Sequence, residues 1–119
     1  MEFDSLPEYI RDVKRLKKRY RSLEEDLNVV QRILCAKPDP FSPVSFEISG
    51  LAIQTCVIKV KRIACKALKG KGSNSGLRLV YAYSPSTDKG LPSKIVFIEL
   101  YFKGDKENEN RGRILANFK

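Results

Sequence analysis

The feature of this sequence that most restricts its fold is a change in the spacing of apolar residues at a proline-rich segment. Pro38, Pro40 and Pro43 lie within residues 37–43, and proline does not fit the interior of a helix. Apolar residues recur every three or four positions before this connector and tend to alternate after it. This order predicts a single α+β domain over residues 1–119, with two N-terminal helices on a small antiparallel sheet of three to four strands.

Two amphipathic helices are predicted before the connector. Ser5 and Ser22 each stand three residues before a glutamate, which is a capping-box pattern. The opposite face of the first helix is strongly basic, and its connection to the second helix is short, so we expect two antiparallel helices. The residues assigned to the buried faces are Leu6, Tyr9, Ile10, Val13, Leu16 and Tyr20 in the first helix and Leu23, Leu27, Val30 and Leu34 in the second.

Strands are predicted after the connector. Residues 57–61 alternate, so that Ile58 and Val60 share one face and Lys59 and Lys61 share the other. Two further strands are predicted at 77–83 and 95–102, the latter apolar enough for a central strand, and they are joined by a hairpin loop over 84–93. A short helix within 105–119 is anchored by Ile114, Leu115 and Phe118.

The distribution of charge indicates a negatively charged partner. The chain has 23 Lys and Arg against 14 Asp and Glu, a net charge of +9. No carboxylate lies between Glu47 and Asp88, and like charges on neighbouring strands repel one another unless a polyanion is bound. The alternative is a solvated strand face that keeps the protein soluble. The cations of this interval are Lys59, Lys61, Arg62, Lys66, Lys69, Lys71 and Arg78.

Residue types that are missing exclude several kinds of site. The sequence has no histidine, which removes the commonest neutral-pH acid–base group and every histidine-containing metal site. Its three cysteines form no CxxC pair, so neither a disulfide framework nor a zinc ribbon is expected. No apolar stretch reaches 18 residues, and the acidic start is unlike a signal peptide. We therefore expect a soluble cytoplasmic protein without a metal or other cofactor.

Two local features invite a phosphate-binding interpretation. Residues 69–76 are basic and glycine-rich, but they lack the Walker spacing and precede a strand instead of opening a helix. A flexible basic turn is the better interpretation. Arg78 lies in mid-strand on the face opposite Leu77, Leu79 and Tyr81, and a buried arginine without a partner is costly. Either this face is exposed or Arg78 is held for an anion.

The order of these segments resembles the RelE/ParE toxin superfamily, particularly its RelE-like and HigB-like branch. The resemblance rests on Val57-Ile58-Lys59-Val60-Lys61, a glycine-rich turn, Gly76-Leu77-Arg78-Leu79-Val80-Tyr81 and an apolar strand that ends in Lys103. Phe3-Asp4-Ser5 followed by two helices is similar too. It implies a type II toxin that acts as a ribosome-dependent mRNA endoribonuclease without a metal, with the ribosome, mRNA and a cognate acidic antitoxin as partners.

The resemblance also implies a set of site residues. By position, the catalytic residues are Lys59, Lys61 and Arg78. The 2′-hydroxyl of the RNA would attack the adjacent phosphate, Arg78 and one lysine would stabilise the developing charge, and one lysine would act as general base. Tyr81 and Tyr83 are candidates for base stacking by type, but alternation puts them opposite Arg78. Further candidates for RNA contacts are Arg62, Lys69, Lys71, Lys103, Lys106, Arg111 and Arg113.

The chain also departs from the family pattern near its C-terminal end. The position of a family arginine falls on Gly104, that of a family tyrosine falls near Asn110, and no tyrosine follows Tyr101. Lys106, Arg111 or Arg113 would have to supply the missing cation. Two alternatives therefore stay open: a ParE-like gyrase inhibitor or degenerate toxin that acts by binding, and an unrelated basic module for RNA or an anionic membrane.

Overall fold

The predicted α+β class is confirmed. A computed structural model describes residues 1–68 and 70–119, and this part of the chain contains three helices and a five-stranded sheet. In chain order the elements are β1 (Glu2–Ser5), α1 (Pro7–Lys17), α2 (Leu23–Ala36), β2 (Ser45–Glu47), β3 (Cys56–Val60), β4 (Leu77–Ser84), β5 (Lys94–Phe102) and α3 (Arg111–Phe118).

The sheet differs from the predicted one in strand number and in direction. Its order is β1-β5-β4-β3-β2, and β1 runs parallel to β5 whereas the other pairs are antiparallel. The two strands that the sequence did not reveal are the edges, β1 with four residues and β2 with three. Segments this short do not show enough alternation to be recognised as strands.

The face of the sheet that carries α1 and α2 holds the larger apolar core. Ile58, Leu79 and Leu100 are fully buried there against Leu16 and Leu23 of the helical segment. The apolar stripes predicted for the two helices are confirmed with one exception, Ile10, whose exposed fraction is 58%. A second core lies on the other face, where Ile114 of α3 packs with Val57, Val80 and Ile98.

The predicted capping boxes do not form. Ser5 belongs to β1, and the N-cap of α1 is Leu6, which makes no side-chain cap. Ser22 stands at the N-cap of α2 but leaves the helix amides uncapped. Its hydroxyl instead donates to Asp26 at 2.7 Å and accepts from the backbone N–H of Ala67 at 2.8 Å. A tertiary contact therefore replaces the local cap that the sequence favoured.

The C-terminal helix is shorter than the 105–119 window in which it was predicted. α3 begins at Arg111 because Asn110 caps it, accepting a hydrogen bond from the backbone N–H of Arg113 at 3.0 Å. The backbone N–H of Asn110 in turn donates to the buried Glu99 at 2.7 Å. This bond connects the loop at 103–110 to Glu99, near the centre of β5. The loop therefore lies beside the face of the sheet that carries α3.

Candidate functional site

The face of the sheet opposite α1 and α2 brings the predicted catalytic residues together. Antiparallel pairing sets Lys59 opposite Val80, and Arg78 opposite Tyr101. Lys61 directly follows β3, and its carbonyl accepts a hydrogen bond from Nη1 of Arg78 at 2.9 Å. Alternation placed Lys59 and Lys61 on one face of their strand and Arg78 opposite Leu77, Leu79 and Tyr81. In the structure the three cations line the same depression.

The cations surround an open depression of about 260 Å³, which we call the basic pocket. A candidate RNA contact, Lys103, joins the three predicted catalytic residues in its lining. The loop at 103–110 closes the remaining side with polar groups. The lining residues are Lys59, Lys61, Arg78, Lys103, Glu107 and Asn108. A concave polar site with four cations and one carboxylate is suited to an anion such as a phosphate.

Lys59 is neutralised inside the protein. Its ammonium lies 3.4 Å from Oε2 of Glu109, and the two side chains are only 8% and 5% exposed. It also donates to the hydroxyl of Tyr101 at 3.3 Å. A buried ion pair of this kind holds its members in place. Lys59 therefore contributes to the architecture of the pocket, whereas its charge is already compensated by a carboxylate.

Lys61, Arg78 and Lys103 differ from Lys59 in this respect. Within residues 1–68 and 70–119, no carboxylate forms an ion pair with any of the three. Lys61 and Lys103 are exposed, and Arg78 is half-buried. Nη1 of Arg78 donates to the carbonyls of Lys61 and Leu77, which fixes the guanidinium while its other N–H groups remain for a ligand. These three residues are the pocket's cations without an ion-pair partner among the described residues, and Glu107 is the carboxylate of the lining.

Tyr101 supports the basic pocket through Lys59, and the sequence interpretation missed this role. Its ring is 3% exposed, beneath the ammonium of Lys106 at 5.0 Å from the ring centroid. Burial, reinforced by the nearby carboxylates of Glu109 and Glu99, raises the pKa of Tyr101 to about 12. The hydroxyl therefore stays protonated at neutral pH and serves as a hydrogen-bonding group. No local sequence pattern marked this role, because the contact with Lys59 joins residues 42 positions apart.

The two tyrosines that were candidates for base stacking, Tyr81 and Tyr83, lie away from the basic pocket. Tyr81 is fully buried in the core beneath α1 and α2, and its hydroxyl donates to the carbonyl of Pro38 at 2.6 Å. Tyr83 packs against the same core. Both positions agree with the alternation along β4, which placed them opposite Arg78.

Three of the remaining predicted RNA contacts hold the C-terminal segment in place. Arg113 donates to Asp12 at 2.7 Å and to the carbonyl of Ile98 at 2.9 Å, and its side chain is 15% exposed. Lys106 forms an ion pair with the buried Glu99. Arg111 donates to the carbonyl of Ser49 at 3.2 Å. These contacts join α3 and its loop to α1, β5 and the segment after β2.

The other three predicted contacts are spread along the segment between β3 and β4. Arg62 is exposed and borders an apolar groove beside α2, on the other side of the sheet from the basic pocket. Lys71 lines a separate open depression with Phe102 and Lys103. Lys69 lies outside the residues that the structure describes.

Gly104, the position on which the resemblance placed an arginine, lies against the ring of Phe102. A Cβ atom built on Gly104 would lie 2.5 Å from Cε1 of Phe102, whose ring is also approached closely by Gly76. A side chain at residue 104 would therefore require the ring of Phe102 to move. The cation from this part of the chain is instead the neighbouring Lys103, which lines the pocket.

Comparisons with known proteins leave the family of the chain open. Neither models of protein families, nor curated proteins, nor solved structures gave a match to this sequence or fold. In the part of the chain that the structure describes, no cluster of three or more His, Cys, Asp or Glu residues is arranged to hold a metal ion. Over the same residues, no helix has the length and apolar character needed to cross a membrane.

Proposed function

We propose that this protein is a RelE-like toxin of a type II toxin–antitoxin module, which acts in the cytoplasm as a metal-independent, ribosome-dependent mRNA endoribonuclease. The observation that carries the proposal is the basic pocket, in which Lys61, Arg78 and Lys103 have no carboxylate partner among the described residues. These are the cations that a scissile phosphate would compensate. The second support is the order of segments in the sequence, which resembles that of the RelE/ParE superfamily.

The proposed mechanism uses the difference between paired and unpaired cations. The scissile phosphate binds to Arg78 and Lys61, and Lys103 binds a neighbouring phosphate. As the 2′-hydroxyl attacks, its proton passes to water, the bond between phosphorus and the 5′-oxygen breaks, and the 5′-oxygen takes a proton from water. Negative charge builds on the phosphate oxygens in the transition state, and the fixed guanidinium of Arg78 stabilises that charge. The lysine that binds the phosphate is Lys61, because Lys59 is held by Glu109 and Tyr101. Lys59 then serves as a positioning residue that fixes β3 and the pocket wall.

The proposal includes a second polypeptide. A net charge of +9 and an open cationic pocket favour an acidic antitoxin that covers this face and competes with RNA for it. Such a partner would contact Lys61, Arg78 and Lys103 more than the neutralised Lys59.

Primer extension on mRNA from cells after a short induced pulse of the protein tests the proposal. The wild type is expected to arrest growth and to produce cuts at fixed positions within codons. Arg78→Ala should abolish both effects, whereas Arg32→Ala, the same charge change at an exposed site on α2, should leave them intact. Lys61→Ala should behave like Arg78→Ala.

Two other outcomes would assign a different function. Growth arrest with intact mRNA would contradict the nuclease and favour a toxin that inhibits gyrase or another target by binding. The C-terminal segment supports this second candidate, because no tyrosine follows Tyr101. The absence of both cuts and arrest would contradict the toxin, and would leave the interpretation of a basic module that binds RNA.

A further inference from the structure

An aromatic side chain stands beside the basic pocket without belonging to a hydrophobic core. Phe46 lies at the middle of the edge strand β2, directly opposite Lys59 in the strand register. Its residue is 37% exposed. Among the described residues, neither of the two core clusters includes it. Packing within the protein therefore does not explain a large apolar ring at this position.

Two cations hold the ring next to the pocket. The ammonium of Lys61 is 5.1 Å from the ring centroid and that of Lys59 is 5.5 Å from it, both within the range of a cation–π interaction. Both lysines also line the basic pocket. The phenyl ring therefore lies beside Lys61, one of the groups that would bind a phosphate, and part of its surface is open to solvent.

A nucleotide offers the chemistry that matches this arrangement. A phosphate bound by Lys61 and Arg78 carries an attached sugar and a base, and single-stranded RNA is commonly recognised by stacking its bases on aromatic side chains. A ring that is already fixed by two lysines loses little conformational freedom when a base stacks on it. An exposed aliphatic residue would not provide this flat surface.

We propose that Phe46 is the stacking platform for a nucleobase of single-stranded RNA whose phosphate occupies the basic pocket. This inference rests on the proposed function in one respect, since it takes the polyanion in the pocket to be RNA. It supplies the aromatic contact that neither Tyr81 nor Tyr83 can make from the opposite face.

The chain contains a matched control for this residue. Phe41 is also exposed, at 56%, and also has a lysine next to its ring, with the ammonium of Lys37 at 5.2 Å. It borders the groove beside α2, which is formed by other residues than those of the basic pocket. A general effect of removing an exposed phenyl–lysine contact would therefore appear equally in Phe41→Leu and Phe46→Leu.

The test measures the affinity of the purified protein for a short single-stranded RNA and for inorganic polyphosphate, which has no bases. Phe46→Leu is expected to weaken RNA binding by about tenfold, within the range measured for loss of one stacked base, and to leave polyphosphate binding unchanged. Phe46→Trp should keep the wild-type affinity for RNA. Phe41→Leu should change neither affinity, and thermal melting should show that all three variants fold.

Three results would overturn the inference. The first is equal RNA affinity of Phe46→Leu and wild type, the second is an equal loss of RNA and polyphosphate affinity, and the third is no RNA binding by the wild type. In the second case the ring would act only by orienting the lysines. The primer-extension experiment tests the nuclease independently. Base-dependent RNA binding without mRNA cuts would support the stacking role of Phe46 and contradict the nuclease. mRNA cuts without an effect of Phe46→Leu on RNA binding would support the nuclease and contradict the stacking role.

Discussion

The two faces of the sheet carry different kinds of side chain. The face beneath α1 and α2 is covered by apolar side chains, and Leu79, Tyr81 and Leu100 are fully buried there. The face that carries α3 holds a smaller core at one end and buried or half-buried charged residues at the other. Adjacent residues of one strand, Arg78 and Leu79, therefore lie in opposite environments.

The charged face itself contains two kinds of cation. Lys59, Lys106 and Arg113 are neutralised by Glu109, Glu99 and Asp12 and hold the C-terminal segment against the sheet. The cations without a carboxylate partner among residues 1–68 and 70–119 surround the depression beside them: Lys61, Arg78 and Lys103. This difference shows that paired and unpaired cations on a basic strand face must be told apart before any of them is assigned to a ligand.

Adjacent substitutions in β4 provide the strongest test of the contrast between faces. Leu79→Ala should lower the free energy of unfolding by about 4 kcal/mol, because a fully buried leucine leaves a cavity. Arg78→Ala should lower it by less than about 1 kcal/mol, because its side chain is half-buried and loses only bonds to carbonyls. Urea unfolding measures both. A loss at Arg78 as large as that at Leu79 would make Arg78 a structural residue.

The sequence predicted the face on which a side chain lies better than it predicted the edge strands of the sheet. Alternation was enough to separate Lys59 and Lys61 from Ile58 and Val60, and Arg78 from Leu77, Leu79 and Tyr81, because successive side chains of a strand point to opposite faces. It could not reveal β1 and β2, which have four and three residues and depend on β5 and β3 for their pairing. The aromatic Phe46 was missed for the same reason.

The partners of the cations were not predictable from local patterns. Lys59 and Glu109 are 50 residues apart in the chain, and Asp12 and Arg113 are 101 apart. Such pairs depend on how α3 docks on the sheet, and neither periodicity nor capping signals contain that information. The sequence therefore showed which cations share a face but could not separate the structural ones from those available to a ligand.

Removing Glu109 tests the distinction between paired and unpaired cations. Glu109→Ala should lower the free energy of unfolding by about 2 kcal/mol, since it leaves the buried ammonium of Lys59 without its carboxylate. Lys61→Ala should change stability by less than about 0.5 kcal/mol, because this exposed lysine has no carboxylate partner among the described residues. Thermal or urea unfolding of the two variants gives the answer. Equal effects would show that Glu109 does not compensate Lys59.

Titration of Tyr101, which contacts Lys59 and lies opposite Arg78 in the strand register, has no expected effect at neutral pH and a measurable one at high pH. Its pKa of about 12 in the folded protein lies above the value near 10 of an unfolded tyrosine. Folding therefore favours the neutral phenol, and this contribution to stability is complete below pH of about 10 and is lost as the pH rises through about 12.

Tyrosinate absorbance of the wild type and of Tyr101→Phe, measured against pH, isolates this group. The difference between the two titrations should have its midpoint at about pH 12, and the wild type should lose more stability than the variant between about pH 10 and pH 12. Unfolding of the wild type below this range would be detected by circular dichroism at each pH. A midpoint near 10 in the folded protein would mean that water reaches the hydroxyl of Tyr101 and therefore also the neighbouring ion pair of Lys59 and Glu109.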